Sequence, residues 1–219
     1  MKIALVTGAS RGIGDAIASS LSQDGWSILA PTRDELNLED SSSVERYLLS
    51  CGVVDGLVLN AGINVPARLE DSSDSLWKAA MNTNLEASFR VLRGVLPGMA
   101  ERGFGRIVAI SSLYANRARE GRGVYSSTKA GLEALIRVVC VEYGKRGILA
   151  NVLAPGFVNT ELTLQNNSQS SIDQLLERVP LGRLAEPAEV ALAAKFLLSP
   201  SNTYVSGQVL AIDGGWSCT

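Results

Sequence analysis

The 219-residue sequence contains no histidine and only three cysteines. The absence of histidine excludes acid–base sites built on an imidazole. Cys51, Cys140 and Cys218 are odd in number and lack metal-ligand spacing, so we interpret them as reduced thiols and expect no metal site. No apolar run approaches the about 18 residues that a membrane span needs. Because the residues after Met1-Lys2 predict a strand rather than a signal peptide, we expect a cytoplasmic protein with no membrane partner.

Charged residues are also few. They make up 19% of the chain, and the formal net charge is only −2. This balance gives no electrostatic reason to expect a nucleic-acid partner. Apolar residues make up 46% of the chain, which is enough for a large packed core, and we find no linker or internal repeat. We therefore expect a single domain over residues 1–219.

Short apolar runs alternate with amphipathic stretches along the chain, which is typical of βαβ units. The runs that predict strands are KIALVTG, WSILA, VDGLVLNAG, FGRIVAISS, GILANVLAPG and GQVLAIDGG. The longer predicted helices cover residues 75–99, 126–144 and 187–198. The pattern predicts a single-domain α/β protein with a Rossmann-like, doubly wound parallel sheet.

One edge of this sheet is expected to be shortened. The second strand ends near Ala30, and the next strand-like piece, ELNL, begins at Glu35. A parallel crossover needs about a dozen residues, so no helix fits between them. Either ELNL is a short edge strand reached by a turn, or this strand between predicted strands 2 and 3 is lost.

A glycine-rich loop, TGASRGIG, follows the first predicted strand and opens the first predicted helix. Gly8, Gly12 and Gly14 allow a tight turn and a close backbone approach, and the helix N-terminus offers free N–H groups to a pyrophosphate. The placement therefore predicts a dinucleotide site. The alternative is an ordinary tight turn between strand and helix.

Tyr125 and Lys129 lie four residues apart on a predicted helix and so share one face. A nearby ammonium favours the phenolate and is expected to lower the pKa of Tyr125, which makes the pair a candidate general acid–base. The alternative is a half-buried tyrosine beside a solvated lysine.

Two further polar residues are candidates for the site. Ser112 ends a predicted strand, where ligands of open α/β sheets bind. Asn84 lies within a predicted helix, although asparagine is a poor helix former.

These motifs, in this order, resemble the short-chain dehydrogenase/reductase family over nearly the whole chain. LNAG at 59–62 resembles that family's NNAG, with Leu59 in place of its first asparagine. NTNL at Asn84, ISS ending at Ser112, YxxxK, and NVLAPG at 151–156 also match. The tail from Pro180 is similar to the 3-oxoacyl-(acyl-carrier-protein) reductase branch, which serves fatty acid biosynthesis.

The resemblance implies the roles of the site residues. Ser112 would hold the substrate carbonyl oxygen, and Tyr125 would donate the proton. Asn84 would kink its helix and hold a water that relays protons to Lys129. The residues that the resemblance and the loop assign to cofactor binding are Gly8, Ser10, Arg11, Gly12, Ile13, Gly14, Arg33, Asn37, Leu38, Asn60, Ala61, Gly62, Tyr125, Lys129, Pro155, Gly156, Val158 and Thr160. An ordinary role in a turn or in packing is the alternative for Asn60, Pro155, Gly156, Val158 and Thr160.

Two arginines favour NADP(H) over NAD(H). Arg11 lies inside the glycine loop and Arg33 follows the second predicted strand, and two guanidinium groups suit a 2′-phosphate. Asp34 beside Arg33 leaves the NAD alternative open, because an acidic residue there binds ribose hydroxyls.

The substrate stays open at this level. The leading hypothesis is an NADPH-dependent reductase of ketones, with a 3-oxoacyl thioester and an acyl-carrier partner as the candidate substrate and partner. The alternatives are a dehydrogenase of a sugar or other polar alcohol, and a catalytically idle dinucleotide-binding sensor. The substrate lid that the resemblance implies, Asn159–Pro180, is polar at its centre, and Lys145 and Arg146 mildly favour the acyl carrier.

The loop after Ser112 carries Arg117, Arg119 and Arg122, which either are solvated or meet an anionic group.

The resemblance also implies a homotetramer that packs the two long helices against a symmetry mate. One of them has an apolar face made of Leu132, Leu135, Ile136, Val139 and Cys140. That face could serve either a subunit contact or the core.

Overall fold

Six parallel strands form one sheet in a computed structural model that describes residues 1–219. The strands are β1 (Ile3–Val6), β2 (Ser27–Leu29), β3 (Gly56–Leu59), β4 (Gly105–Ile110), β5 (Ile148–Pro155) and β6 (Val209–Ile212). Their order in the sheet is β2-β1-β3-β4-β5-β6. The strand order reverses between β1 and β3, and ligands of open α/β sheets bind at the carboxyl ends next to such a reversal. The predicted doubly wound parallel fold is confirmed.

The chain also forms eight α-helices. They are α1 (Gly12–Gln23), α2 (Ser41–Ser50), α3 (Asp74–Ala80), α4 (Ala87–Arg102), α5 (Gly123–Tyr143), α6 (Glu161–Gln165), α7 (Gln169–Leu176) and α8 (Pro187–Leu198). Of these, α1, α2, α4, α5 and α8 pack on the two faces of the sheet. Side chains alternate between faces along each strand. Leu5 packs with α2, α4 and α5 on one face, while Ala4 and Val6 pack with α1 and α8 on the other. None of these helices is long and apolar enough to cross a membrane.

The predicted shortening of the sheet at β2 is confirmed, and ELNL forms no strand. Residues 30–40 run as turns and coil. The Glu35 carboxylate accepts hydrogen bonds from the Thr32 backbone N–H (2.8 Å) and hydroxyl (3.0 Å), which closes a turn where a strand would begin. Leu36 is buried in the core. The helix α2 that follows is capped by Asp40, which accepts from Ser42 N–H at 2.9 Å, rather than by a serine.

The predicted helix over residues 75–99 is interrupted. Helices α3 and α4 are joined by a π-helical segment, Met81–Glu86, which contains Asn84. Short π-helical segments inside α-helices are frequent at functional sites. The predicted helix over 126–144 begins earlier, at Gly123, so Tyr125 lies in the first turn of α5.

Candidate active site

The glycine loop is fixed to the neighbouring strand β3 by hydrogen bonds. The Asn60 side chain donates to the Thr7 carbonyl (3.1 Å) and to the Gly8 carbonyl (2.9 Å). The Thr7 hydroxyl accepts from the backbone N–H groups of Asn60 (3.0 Å) and Ala61 (3.2 Å). The loop after β1 and the loop after β3 therefore form one rigid unit at the point where the strand order reverses.

The glycines of this loop are required by space and by backbone conformation. Gly8 has a φ of +66°, and a Cβ there would lie 2.9 Å from Ala61 Cα. A Cβ on Gly14 would overlap the Gly8 carbonyl oxygen. No side chain caps the N-terminus of α1, so its first N–H groups stay available to an anion. A loop free of side chains over an uncapped helix fits the pyrophosphate of a dinucleotide.

A cleft opens beside this loop at the carboxyl end of the sheet. It collects residues from β3, β4, β5 and the N-terminus of α5. The predicted site residues that line it are Ile13, Asn60, Gly62, Ser112, Tyr125, Lys129, Pro155, Gly156, Val158 and Thr160. Thr160 also caps α6, accepting from Thr163 N–H at 3.3 Å. We call this space the active-site cleft.

Tyr125 is partly buried at the wall of the cleft. Burial raises the pKa of Tyr125 to about 12, and the Ser112 hydroxyl and the Arg122 guanidinium act against this rise. The expected lowering of the tyrosine pKa by Lys129 is therefore not found in this structure. Desolvation is the largest influence on the tyrosine, and the Lys129 ammonium, 5.7 Å from the centre of the Tyr125 ring, does not offset it.

Lys129 is buried and its ammonium donates a hydrogen bond to the Ile110 carbonyl at 2.8 Å. Burial lowers the pKa of Lys129 from 10.5 to about 8. The alternative of a solvated lysine is therefore wrong. The lysine remains mostly charged at neutral pH, but its pKa is close enough to neutral pH for the ammonium to release a proton.

Asn84 lies completely buried next to Lys129. Its side-chain oxygen accepts from Ile63 N–H (2.8 Å), and its side-chain nitrogen donates to the Ile63 carbonyl (2.9 Å) and to the Thr128 hydroxyl (3.1 Å). A Cβ built on Gly62 would lie 3.2 Å from Asn84 Oδ1 and 3.5 Å from Lys129 Nζ. Asn84 thus joins the loop after β3 to α5 directly behind the cleft.

Ser112 and Ser111 have different surroundings at the end of β4. The Ser112 hydroxyl lines the cleft and accepts from Tyr114 N–H at 3.2 Å. Ser111 also lines the cleft, but its hydroxyl donates to Glu133 Oε1 at 2.8 Å. Of the two hydroxyls, that of Ser112 is the one without a carboxylate partner.

Comparison with known proteins identifies the architecture around this site. A family model described as Enoyl-(Acyl carrier protein) reductase matches residues 41–217. A 3-oxoacyl-(acyl-carrier-protein) reductase from Vibrio harveyi is 36% identical, and the match covers 98% of this chain and 96% of that protein. The chain belongs to the short-chain dehydrogenase/reductase family. It is accordingly an NAD(P)-dependent oxidoreductase.

Other members of the family show a wider range of substrates. An acetoacetyl-CoA reductase from Allochromatium vinosum is 32% identical over 98% of this chain and 98% of its own length. Levodione reductase superposes with a TM-score of 0.93 at 27% identity, covering 100% of this chain and 98% of that one. A protein assigned as a gluconate dehydrogenase from Agrobacterium tumefaciens has a TM-score of 0.90 at 28% identity, covering 100% of this chain and 96% of that one.

Some residues that the family resemblance assigned to the cofactor lie outside the cleft. Arg33, Asn37 and Leu38 follow β2 at the sheet edge. Arg33 pairs with Glu39 at 2.9 Å, and Asn37 Oδ1 accepts from Glu39 N–H at 3.1 Å. Arg11 extends from the glycine loop and pairs with Glu161 at the start of α6. Ser10 is exposed on the same loop.

The three arginines of the β4–α5 loop are not equivalent. Arg122 is buried and lines the cleft, and Arg119 lines the cleft beside it. Arg117 is exposed outside this space and donates to the Ser217 carbonyl at 3.3 Å. The hypothesis that all three meet one anionic group is therefore reduced to Arg119 and Arg122.

Two polar partners of the site were missed in the sequence. Glu133 is buried in α5, and it accepts from Ser111 and, at 3.0 Å, from Asn116 Nδ2. These bonds tie both ends of the loop that carries Ser112 to the helix that carries Tyr125. One signal for Glu133 was available, since it lies one helical turn after Lys129 on the same face. No local pattern marked Asn116.

Proposed function

We propose that this protein is an NADPH-dependent reductase that converts a ketone into a secondary alcohol. The observation that carries the proposal is the convergence of Ser112, Tyr125 and Lys129 in one cleft, with Asn84 behind it, next to a glycine loop that fits a dinucleotide. A protein that only sensed a dinucleotide would have no need of this set. When bound, a nicotinamide cofactor supplies or accepts the hydride.

The residues of the cleft divide the remaining work. Ser112 and Tyr125 would donate hydrogen bonds to the carbonyl oxygen, which gains negative charge during reduction. With its pKa raised to about 12, Tyr125 holds its proton at neutral pH, which suits the acid required for reduction. Lys129 would then return a proton towards Tyr125, because burial keeps its own pKa at about 8. Oxidation of an alcohol would follow the same path in reverse.

NADPH is proposed over NADH because of Arg11 and Arg33. Both lie on the side of the sheet next to the glycine loop, and both are largely exposed. Their carboxylate partners, Glu161 and Glu39, lie in exposed pairs that contribute little to stability. A 2′-phosphate with two charges would compete well for such guanidinium groups. Arg33→Ala should raise the KM for NADPH several-fold and leave the KM for NADH unchanged.

The test of the proposal is the oxidation of NADPH by the purified protein. Acetoacetyl-CoA and a neutral polar diketone would be offered as ketones, with NADH run in parallel. Tyr125→Phe should reduce turnover at least about 100-fold, while NADPH still binds, because only the proton donor is lost. Binding of NADPH without turnover of any ketone would refute the reductase proposal and favour the idle sensor.

A 3-oxoacyl thioester is the leading substrate, supported by the two relatives that reduce such groups according to their names. An acyl-carrier or CoA-linked substrate is proposed on this ground. A sugar or other polar alcohol is the second candidate. The lid favours it, because Thr163, Asn166 and Asn167 line the cleft, and the resemblance to a gluconate dehydrogenase agrees with it.

A homotetramer in the cytoplasm is proposed as the working form. Leu132, Ile136 and Val139 of α5 are buried in the core and cannot form a subunit contact. The exposed apolar side chains of the long helices are instead Phe89, Val138 and Val141. They support packing of α4 and α5 against a second copy. Light scattering coupled to gel filtration would measure the mass, and a monomer would refute this part of the proposal.

A further inference from the structure

The active-site cleft contains cationic side chains and no carboxylate. Of the 23 residues that line it, Lys129, Arg119 and Arg122 are charged, and none is aspartate or glutamate. The rest are apolar, hydroxyl or amide side chains and glycines. Lys129 belongs to the proton relay, so two guanidinium groups remain without an assigned role. A cavity lined by side chains of one charge sign attracts ligands of the opposite sign.

Arg122 is the more constrained of the two. It is only 5% exposed, directly precedes α5, and lies three residues before Tyr125. Nη1 donates to Asn64 Oδ1 at 2.8 Å, and no carboxylate lies within 4.0 Å of the guanidinium. Burial lowers the pKa of Arg122, as expected of a desolvated cation. Buried charges are normally paired, so this one lacks a partner.

The other buried arginine without a carboxylate does not share this feature. Arg106 stacks 4.4 Å from the centre of the Phe104 ring and donates to the Gly105 (2.9 Å) and Gly147 (3.1 Å) carbonyls. It lies at the amino end of β4, opposite the cleft. The fold thus supplies Arg106 with two carbonyls and a ring, although its Nε has no partner, whereas Arg122 has one neutral amide as its partner and lines the cleft.

Arg119 and the lid segment Asn159–Pro180 contribute further hydrogen bonds around Arg122. Arg119 Nη1 donates to the Tyr114 hydroxyl at 2.7 Å, and its guanidinium lies 5.8 Å from the centre of that ring. Asn166 of the lid donates to the Asn64 carbonyl at 3.0 Å. Because Asn64 also holds Arg122, the lid and the guanidinium are linked through one residue.

We propose that Arg122, assisted by Arg119, binds a carboxylate of the substrate. Among the ketones considered above, this inference puts an oxo acid ahead of a neutral 3-oxoacyl thioester, with the carboxylate within a side chain's length of the ketone. This inference rests on the proposed reduction of a ketone at Tyr125. A guanidinium matches a carboxylate with two parallel hydrogen bonds, which a neutral acyl chain cannot offer.

Phosphates of the cofactor or of an acyl carrier account less well for Arg122. A pyrophosphate belongs at the N-terminus of α1, whereas Arg122 lies on the loop between β4 and α5. The phosphate of a carrier is separated from the thioester by the whole pantetheine arm. Arg122, three residues from the proton donor, lies too close to the reacting end for that phosphate.

The test compares levulinate with methyl levulinate, which carry the same ketone with and without a negative charge. NADPH oxidation would be measured for the wild type, Arg122→Gln and Arg117→Gln. Arg117 is the matched control because it lies on the same loop but outside the cleft. We expect the wild type and Arg117→Gln to prefer levulinate. Arg122→Gln should lose about 10- to 100-fold in kcat/KM for levulinate, mainly through KM, and little for the ester.

Equal losses on both substrates would overturn the inference, because they would show that Arg122 acts through Tyr125. So would a wild-type preference for the ester. A second readout needs no turnover: with NADP⁺, which cannot reduce the ketone, levulinate should raise the melting temperature of the wild type but not that of Arg122→Gln. No rise in the wild type refutes the oxo-acid inference even if other ketones are reduced. A rise without reduction of any ketone supports the carboxylate site and refutes the proposed function.

Discussion

Replacing Lys129 with methionine should stabilise the protein at neutral pH while it removes activity. The ammonium is buried, and burial lowers its pKa from 10.5 to about 8. The unfolded chain keeps this proton up to pH values near 10.5, while the folded protein releases it above about 8. The folded state is therefore penalised at neutral pH, and the penalty disappears as the pH rises through this window.

The size of the effect follows from the two pKa values. With one pKa unit equal to about 1.4 kcal/mol, the penalty is about 3 kcal/mol at pH 7 and about 1 kcal/mol at pH 9.5. Methionine also loses the hydrogen bond to the Ile110 carbonyl, which costs about 1 kcal/mol at either pH. We therefore expect Lys129→Met to be more stable than the wild type by about 2 kcal/mol at pH 7 and equal to it at pH 9.5.

Urea unfolding of both proteins at the two pH values measures this difference directly. Lys78→Met is the control, because Lys78 is exposed on α3 and its replacement removes no buried ammonium. The comparison cancels all groups that the variants share. If Lys129→Met differs from the wild type by the same amount at both pH values, the buried ammonium does not carry a penalty and the reasoning is wrong.

Three further perturbations test the loop, the polar network and the acid. Gly14→Ala should lower the free energy of unfolding by about 3 kcal/mol and the melting temperature by at least about 6 °C, because the new Cβ would meet the Gly8 carbonyl. The control is Gly144→Ala, which should cause no such loss because the space around Gly144 is open. Glu133→Leu should lower kcat about 10-fold or more. Glu133→Gln should lower kcat far less, because glutamine can still accept a hydrogen bond from Ser111. Equal losses in the two variants would refute a positioning role for Glu133. The rate with Tyr125→Phe should stay low from pH 6 to 10, and recovery at high pH would contradict a tyrosine acid.

The parts of the site that the sequence predicted are those encoded by neighbouring residues. The glycine loop is contiguous, and Tyr125 and Lys129 are one helical turn apart, so helix geometry alone brings them together. The tyrosine pKa was predicted with the wrong sign because it depends on desolvation by the whole fold. The neighbours of Lys129 were visible in the sequence, but its burial was not.

The parts that escaped prediction depend on side-chain hydrogen bonds that secondary-structure propensity does not show. The resemblance implied a helix kinked at Asn84, but helix periodicity did not show the π-helical segment Met81–Glu86, which turns the Asn84 amide towards Ile63. ELNL has a strand-like pattern, but a turn closed by Glu35 takes its place. In both cases, hydrogen bonds of a polar side chain outweigh the local propensity of the segment.

The buried charges of the cleft favour the binding of a ligand and reduce the stability of the fold. Lys129 and Arg122 are both buried, and burial disfavours the charged form of each. A carboxylate opposite them would remove this cost, yet none lines the cleft. The nearby Glu133 is instead bonded to Ser111 and Asn116, on the far side of the Ser112 loop. Since a buried cation without an anion destabilises the fold, the missing negative charge is best explained as one that the substrate brings.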